Sequence, residues 1–529
     1  MAAKSLLETL APNLLRNYRR NQGQRRAALT SRGYVRPGGG TAAVIRAPKE
    51  WRGSTRQVCG MWPFAAGSGA PLMGVPIGPD LVTGNTVALD MISAFTAKYI
   101  QNPSTAIFSL PGMGKSTLVK HLLLGHDAFG FFSRVLGDIK GEYDQVIEAM
   151  GGVVIPLGPG RGNINPLDPG EAYDAAKELR AAGVDPTAML DDLHSRQRAL
   201  MAALITITRK RLLEEVEDNI LDLGIRILRE TFDGIPLIQD LLEVIESAPE
   251  PLRQVAMDRG EDDRYRDATE PLCRSLRGMI SGGVLGTMFS KHTTRRASLR
   301  QHASWNLAAI GDHNPEMQAA AMLATWSAGY ADVNVAHALA DAGIIEPINY
   351  VLPMDEFWKP MSIGRGLVEK ADTITRLNRN DGIGQYFVFH TLKDFEAIAD
   401  PADRKRAMGF IGRCGIIISG GQREDELEAI NKVVRLSKDE ERAIVGWGDA
   451  QKLSSRTTDE IEDDDHWEAT SGTGLSSTPV RPRRRHPGEG KFLIKVGATP
   501  GVTVDVRLTP IEQDGKFTDT NSRWKMQEG

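Results

Sequence analysis

The chain has 529 residues, of which 41% are hydrophobic and 25% charged, and its net charge is −4. This is ordinary composition for a soluble globular protein and leaves room for about three domains at roughly 150 residues each, so a wholly disordered or fibrous chain is excluded. A near-neutral total also argues against a protein that coats nucleic acid by bulk charge, although it hides local asymmetry.

Residues 1–56 hold twelve basic side chains against two acids. Leu6, Leu7, Leu10, Leu14 and Leu15 have helical spacing, and Pro37-Gly38-Gly39-Gly40 ends any helix. Two readings stand: a solvated, flexible basic extension, or an amphipathic arm for a membrane surface, a partner or nucleic acid. Over 57–100 short apolar runs alternate with Gly and Pro, as in Gly74-Val75-Pro76-Ile77-Gly78 and Thr86-Val87-Ala88-Leu89-Asp90. These predict a β-rich lead-in of short strands, with a helix near 91–100.

From 101 to 170 the pattern becomes strand, loop, helix. Ala106-Ile107-Phe108, Val135-Leu136 and Val153–Leu157 read as buried strands with helices between them, which predicts an α/β fold with a mostly parallel sheet. Residues 171–300 predict an α-helical insertion, with three- and four-residue apolar spacing over Ala199–Leu213 and Asp218–Glu230. Over 301–453 the sheet resumes, with strands at Tyr350-Val351-Leu352, Gln385–Phe389 and Gly415–Ile418. Residues 454–490 read as a flexible linker: an acidic run, a Ser/Thr/Gly-rich stretch, then the basic run Arg481, Arg483, Arg484 and Arg485. In 491–529, Phe492–Val496 and Val502–Val506 predict a hairpin. Cys59, Cys273 and Cys414 form no CxxC pair and no HExxH occurs, which argues against a disulfide framework or a cysteine-based zinc site. No apolar run of 18 residues and no signal-type N-terminus is present, so the expected location is cytoplasmic.

The strongest chemical signal is Ser109-Leu110-Pro111-Gly112-Met113-Gly114-Lys115-Ser116-Thr117. It follows a strand and opens a helix, the setting of a phosphate-binding (Walker A) loop. Gly112 and Gly114 let backbone N–H groups face a polyphosphate at a helix N-terminus. Pro111 to Thr117 would cradle ATP, Lys115 would reach the β- and γ-phosphates, and the Ser116 hydroxyl would bind Mg²⁺. The apolar run Tyr350–Met354 ending in Asp355-Glu356 fits a Walker B strand. Asp355 would hold the Mg²⁺ through water and Glu356 would be the general base. After the next strand, His390 is placed to contact the γ-phosphate and report its loss; a strand-capping histidine is the competing reading. If the motor is a ring, an arginine acting across the subunit boundary is expected, with Arg376, Arg379 and Arg413 as candidates. Gly158-Pro159-Gly160-Arg161-Gly162 opens no evident helix and reads as a connecting loop.

The order of these motifs resembles that of the type IV secretion and conjugation ATPases of the HerA/FtsK superfamily, and within it the mating-pair-formation branch of actinobacterial conjugative elements. Gly137-Asp138-Ile139-Lys140-Gly141-Glu142-Tyr143 is similar to the family's Asp-x-Lys-x-Glu-Tyr, and Asn163–Asp168 to its Asn-Pro-Leu-Asp turn. Ser275-Leu276-Arg277 through Gly286–Phe289 resembles the stretch closing its helical insertion. The similarity spans about 57–450, and Thr509–Glu512 with Thr520–Trp524 resembles the tail of the actinobacterial branch. Ser109 stands where the usual loop begins with Gly, and His390 where the family usually has Gln. The large N-terminal domain of the Gram-negative relatives is expected to be absent, or reduced to roughly 100 residues. The resemblance implies a RecA-like P-loop NTPase core that assembles as a homo-hexamer and hydrolyses ATP at subunit interfaces. It would energise assembly of, or transport through, a channel at the inner face of the plasma membrane, reached through channel proteins or the basic N-terminus. Two alternatives remain at this point: a DNA translocase or coupling protein that contacts DNA directly, and a non-hydrolysing nucleotide-binding scaffold of the channel.

Overall fold

In the computed structural model, residues 29–30, 33–34, 71–283, 285, 287–375, 383–449, 486–497 and 499–514 are described. The chain divides into two units, Met1–Ala66 with Leu81–Gly84, and Gly67–Asp80 with Asn85–Gly529. The described β-structure of the first is an antiparallel pair, β1 (Leu29–Thr30) and β2 (Gly33–Tyr34). The basic head, apart from these four residues, and the linker up to 485 lie outside the described residues. So do Arg376, Arg379 and the tail motif at 520–524.

The second unit opens with an antiparallel pair, β3 (Pro76–Pro79) and β4 (Thr86–Ala88), and a short helix α1 (Met91–Thr96) capped by the Asp90 carboxylate on the N–H groups of Ile92 and Ser93. A nine-stranded sheet follows, in the order β13-β12-β11-β5-β10-β9-β6-β8-β7. Its strands are β5 (Ser104–Phe108), β6 (Phe132–Asp138), β7 (Val153–Pro156), β8 (Ala303–Asn306), β9 (Tyr350–Asp355), β10 (Ile383–Phe389), β11 (Ile416–Ser419), β12 (Lys491–Val496) and β13 (Val502–Asp505). From β11 to β7 every pairing is parallel, and β12 and β13 add an antiparallel hairpin at the β11 edge. The hairpin anticipated from the sequence therefore extends the sheet of its own chain.

The continuous apolar runs of the central strands follow from burial on both faces. On one face Ile107, Val135, Val351, Val388 and Ile418 pack with Leu118, Val119 and Leu122 of helix α2 (Lys115–Ala128). On the other, Ala106, Phe108, Leu136, Leu352 and Met354 belong to a larger core with the helix at Pro315–Asp341, against which the helical insertion packs. Helix α3 (Asp144–Ala149) links β6 to β7. The insertion comprises α4 (Ala172–Ala181), α5 (Thr187–Arg209), α6 (Glu215–Thr231), α7 (Ile238–Glu246), α8 (Glu250–Ala256) and α9 (Asp262–Ile280). Sequence patterning missed β8, which is only four residues long, and the long helix α10 (Pro315–Asp341), which is buried on all sides over its first half, with Trp326 and Tyr330 completely enclosed. A side chain at Gly329 would sit 2.4 Å from Leu136 of β6, so glycine there sets how closely α10 lies on the sheet. The remaining helices are α11 (Lys359–Ser362), α12 (Leu367–Ile374), α13 (Pro401–Gly412), α14 (Leu427–Val433), α15 (Lys438–Gly448) and α16 (Pro510–Asp514). Gly158 and Gly162 pair with each other, closing the connecting loop between them.

Candidate active site

Three parallel strands, β5, β10 and β9, lie side by side, and their C-terminal ends deliver the candidate residues to one place. The loop after β5 turns into α2 at Gly114, whose φ of 91° is the left-handed backbone that favours glycine. Gly112 shares that conformation, and open space surrounds the position its side chain would take. Pro111 and Gly112 are exposed, Gly114, Ser116 and Thr117 half-buried, and Met113 and Lys115 buried. Ser109, standing where the loop's first glycine is usual, is fully buried and its Oγ donates to the Gly421 carbonyl at 3.4 Å.

The ammonium of Lys115 uses its donors inside the site. Nζ donates to the carbonyls of Ser109 and Leu110 and to Nδ1 of His390 at 2.8 Å. An ammonium can only donate into an unprotonated ring nitrogen. Nδ1 of His390 accepts this bond, and its Nε2 faces Glu356 Oε1 at 3.0 Å. The result is a chain from Lys115 through His390 to Glu356. Burial lowers the Lys115 pKa to about 8, against the opposing pull of Asp355 and Glu356. It stays mostly charged at neutral pH.

Asp355 is the last residue of β9 and Glu356 follows it. Glu356 has φ of 50°, a sparsely populated conformation for a side chain with a Cβ that costs about 1–3 kcal/mol. Its N–H donates to Asp355 Oδ1 at 2.9 Å, and Trp358 Nε1 donates to its Oε2 at 3.0 Å. Burial pushes the Glu356 carboxyl up, but the hydrogen bond and charge of His390, then the charge of Lys140 and the hydrogen bond from Trp358, outweigh it and hold it well below the usual range. Asp355 behaves oppositely: burial, then the adjacent Glu356 charge, raise it to about 7.

The sequence-based site missed Lys140. Its Nζ lies 3.7 Å from Glu356 Oε1, carried by a loop built on Asp138, whose Oδ1 accepts from the N–H groups of Lys140, Gly141 and Glu142 and Oδ2 from that of Tyr143. The signal was present in the Asp-x-Lys-x-Glu-Tyr motif, but nothing in the sequence pairs it with β9 across more than 200 residues. Arg413 is exposed and held within its own subunit by the Gly409 carbonyl and the Phe410 ring.

A divalent cation fits the donors present. No group of three or more His, Cys, Asp or Glu suited to a metal occurs among the described residues. A hydroxyl at Ser116 and a buried carboxyl at Asp355 match the sparse protein ligation Mg²⁺ takes when nucleotide phosphate and water fill the remaining positions.

The architecture is a RecA-like P-loop NTPase core, with a mostly parallel sheet interrupted by a helical insertion. It is the fold of VirB4 of Thermoanaerobacter pseudethanolicus, which the chain matches at 17% identity with a TM-score of 0.55, over 85% of this chain and 100% of that one. Weaker similarity is found to the plasmid coupling protein TrwB in complex with ADP and Mg²⁺ (12% identity, TM-score 0.43, 80% of this chain and 88% of that one). The cytoplasmic domain of the type VII secretion ATPase EccC of Thermomonospora curvata aligns at 13% identity and a TM-score of 0.29, over 82% of this chain and 29% of that one. No family model and no curated protein sequence matches the chain.

Proposed function

We propose that this chain is an ATP-hydrolysing motor that energises assembly of, or transport through, a type IV secretion or conjugation channel, working as a homo-hexamer at the inner face of the plasma membrane. The observation that carries the reading is the convergence of Lys115, His390, Asp355 and Glu356 at three neighbouring strand ends beside the glycine-rich loop. The motif order and the fold shared with VirB4 supply the channel context.

In this reading the N–H groups of Gly112 to Thr117 bind the phosphates and Lys115 moves from His390 to the γ-phosphate. Ser116 and Asp355 would hold Mg²⁺, which would supply positive charge beside the nucleotide phosphates. Glu356 accepts a proton from the attacking water, a role its left-handed backbone and the hydrogen bond from Trp358 suit by holding the carboxylate in one place. His390 sits between the phosphate-binding lysine and this base, so departure of the γ-phosphate lets Lys115 return to it.

The test is steady-state hydrolysis of ATP by wild type and Glu356→Gln at several protein concentrations, with nucleotide binding measured separately. The variant should bind and lose about 10²–10⁴-fold in turnover. Turnover should rise cooperatively with concentration if subunits complete one another's sites. Normal turnover by Glu356→Gln refutes the assignment of the base. Tight binding by wild type without turnover would make the chain a nucleotide-binding scaffold, and strong stimulation by DNA would make it a translocase.

A further inference from the structure

The described C-terminal residues come back to the phosphate loop. His486–Gly490 form a turn closed by the Glu489 N–H on the His486 carbonyl at 2.8 Å. The N–H of Gly490 then donates to the carbonyl of Met113 at 3.1 Å. A side chain at Gly114 would lie 3.5 Å from the Gly490 nitrogen. The turn is seated from behind: a side chain at Gly488 would come within 2.1 Å of the Trp447 carbonyl oxygen. From Gly490 the chain runs into β12, and Val506, just past β13, returns a hydrogen bond to the Gly490 carbonyl at 2.9 Å.

A second attachment lies further along the same helix. His121 of α2 faces Glu512 of α16, Nδ1 to Oε1 at 2.7 Å, and its Nε2 faces the Pro76 carbonyl at 2.7 Å. Both ring nitrogens meet acceptors, so His121 is the doubly protonated cation, in a buried ion pair. Glu512 is itself fixed by Thr509, whose N–H donates to Oε2 at 2.6 Å. One segment thus grips the phosphate loop at Met113 and its helix at His121.

We propose that the C-terminal hairpin with its flanking turn and helix (His486–Gly490, β12, β13 and α16) is a positioning clamp for the phosphate loop. It holds Met113, Gly114 and the first turns of α2 in their nucleotide-receiving arrangement. Its residues act through the loop and need no contact with nucleotide. This inference rests on the reading of Ser109–Thr117 as the nucleotide site.

The experiment is backbone hydrogen exchange on the full chain, with calorimetric titration of Mg²⁺-ADP, for wild type, Gly488→Ala, Glu512→Ala and Glu512→Gln. Gly488→Ala drives the turn off Trp447. Glu512→Ala leaves His121 without its partner, and Glu512→Gln keeps an acceptor for it. Exchange over residues 110–118 should rise with that of 486–513 in the Gly488→Ala and Glu512→Ala variants. Mg²⁺-ADP should bind roughly tenfold more weakly, the size of one lost charge-assisted contact. Glu512→Gln should restore part of both. If the C-terminal residues loosen while 110–118 stays as protected as in wild type, the clamp is refuted. It is also refuted if neither Gly488→Ala nor Glu512→Ala loosens the C-terminal residues. If exchange spreads as expected but wild type fails to bind Mg²⁺-ADP, the clamp stands and the nucleotide reading falls.

Discussion

Replacing His390 by alanine removes the middle of the chain between Lys115 and Glu356. Two hydrogen bonds go: Lys115 Nζ to Nδ1 at 2.8 Å, and Nε2 to Glu356 Oε1 at 3.0 Å. Hydrogen bonds to charged groups contribute about 1.5–3 kcal/mol each. The two losses act on different steps. Lys115 keeps the Ser109 and Leu110 carbonyls and no longer has to leave a histidine when a phosphate arrives, so Mg²⁺-ADP should bind as well as before or more tightly. Glu356 keeps Trp358 but loses the group that orients its Oε1, so the cost falls on turnover: about 1.5–3 kcal/mol, or roughly 10–150-fold in kcat. Glutamine can accept from Lys115 through its oxygen and donate to Glu356 through its nitrogen, so His390→Gln should recover most of the rate. The assay is kcat and KM for ATP with Mg²⁺-ADP affinity measured in parallel. A kcat for His390→Ala within threefold of wild type, or equal impairment of the alanine and glutamine variants, would show that this chain of contacts does not act in hydrolysis.

Lys115→Ala should weaken Mg²⁺-nucleotide binding by roughly 10²-fold through lost phosphate contact. The melting temperature should not fall, since burial already disfavours that ammonium; a melting temperature several degrees lower would mean that Lys115 is chiefly structural. Gly125→Ala should destabilise by about 1–3 kcal/mol, because its side chain would lie 2.3 Å from buried Val75. Urea unfolding reads this, and a neutral result would mean that α2 and β3 can separate freely. The His121–Glu512 attachment carries a pH signature. Burial lowers the His121 pKa, but the bond and charge of Glu512 and the Pro76 carbonyl raise it overall above 6.5. Burial raises Glu512, but His121 and Thr509 bring it below 4.5. The histidine's contribution is complete below 6.5 and lost as pH rises through its raised value, and the glutamate's is complete above 4.5 and lost as pH falls. After correction for intrinsic rates, exchange protection of 509–513 should therefore be greatest between 4.5 and 6.5 and decline at alkaline pH. Flat protection from pH 5.5 to 9 would contradict the charged pair.

The parallel core was readable because its strands are short apolar runs separated by loops with strong punctuation, and the loop between β5 and α2 because its glycines, lysine and hydroxyls follow one another locally. Asp355 and Glu356 were readable as the acidic end of such a run. What escaped was long-range or faceless. The helix α10 has apolar side chains all round, so no period marks it, and β8 is only four residues long. Lys140 reaches Glu356 because β6 lies beside β9 in the sheet, a neighbourhood made by strand order rather than by sequence. Gly488 and Gly490 sit at the end of a stretch whose composition reads as linker, yet they form the turn against Met113. Their role comes from the backbone space they leave empty, which composition does not report.

The return of the C-terminal strands to the loop also bears on synthesis. His121 and Glu512 are 391 residues apart in the chain. At translation rates of roughly 5–20 residues per second, the loop and its helix emerge some 20–80 seconds before the residues that grip them. Late in that interval, over the roughly 4–14 seconds between synthesis of β11 and of β12, β11 presents an unpaired edge where β12 will later dock. A nascent chain would thus carry the whole proposed nucleotide-binding motif long before that motif is held in its final shape, and a ribosome-bound intermediate stalled between β11 and residue 486 would be the species most exposed to edge pairing with its neighbours.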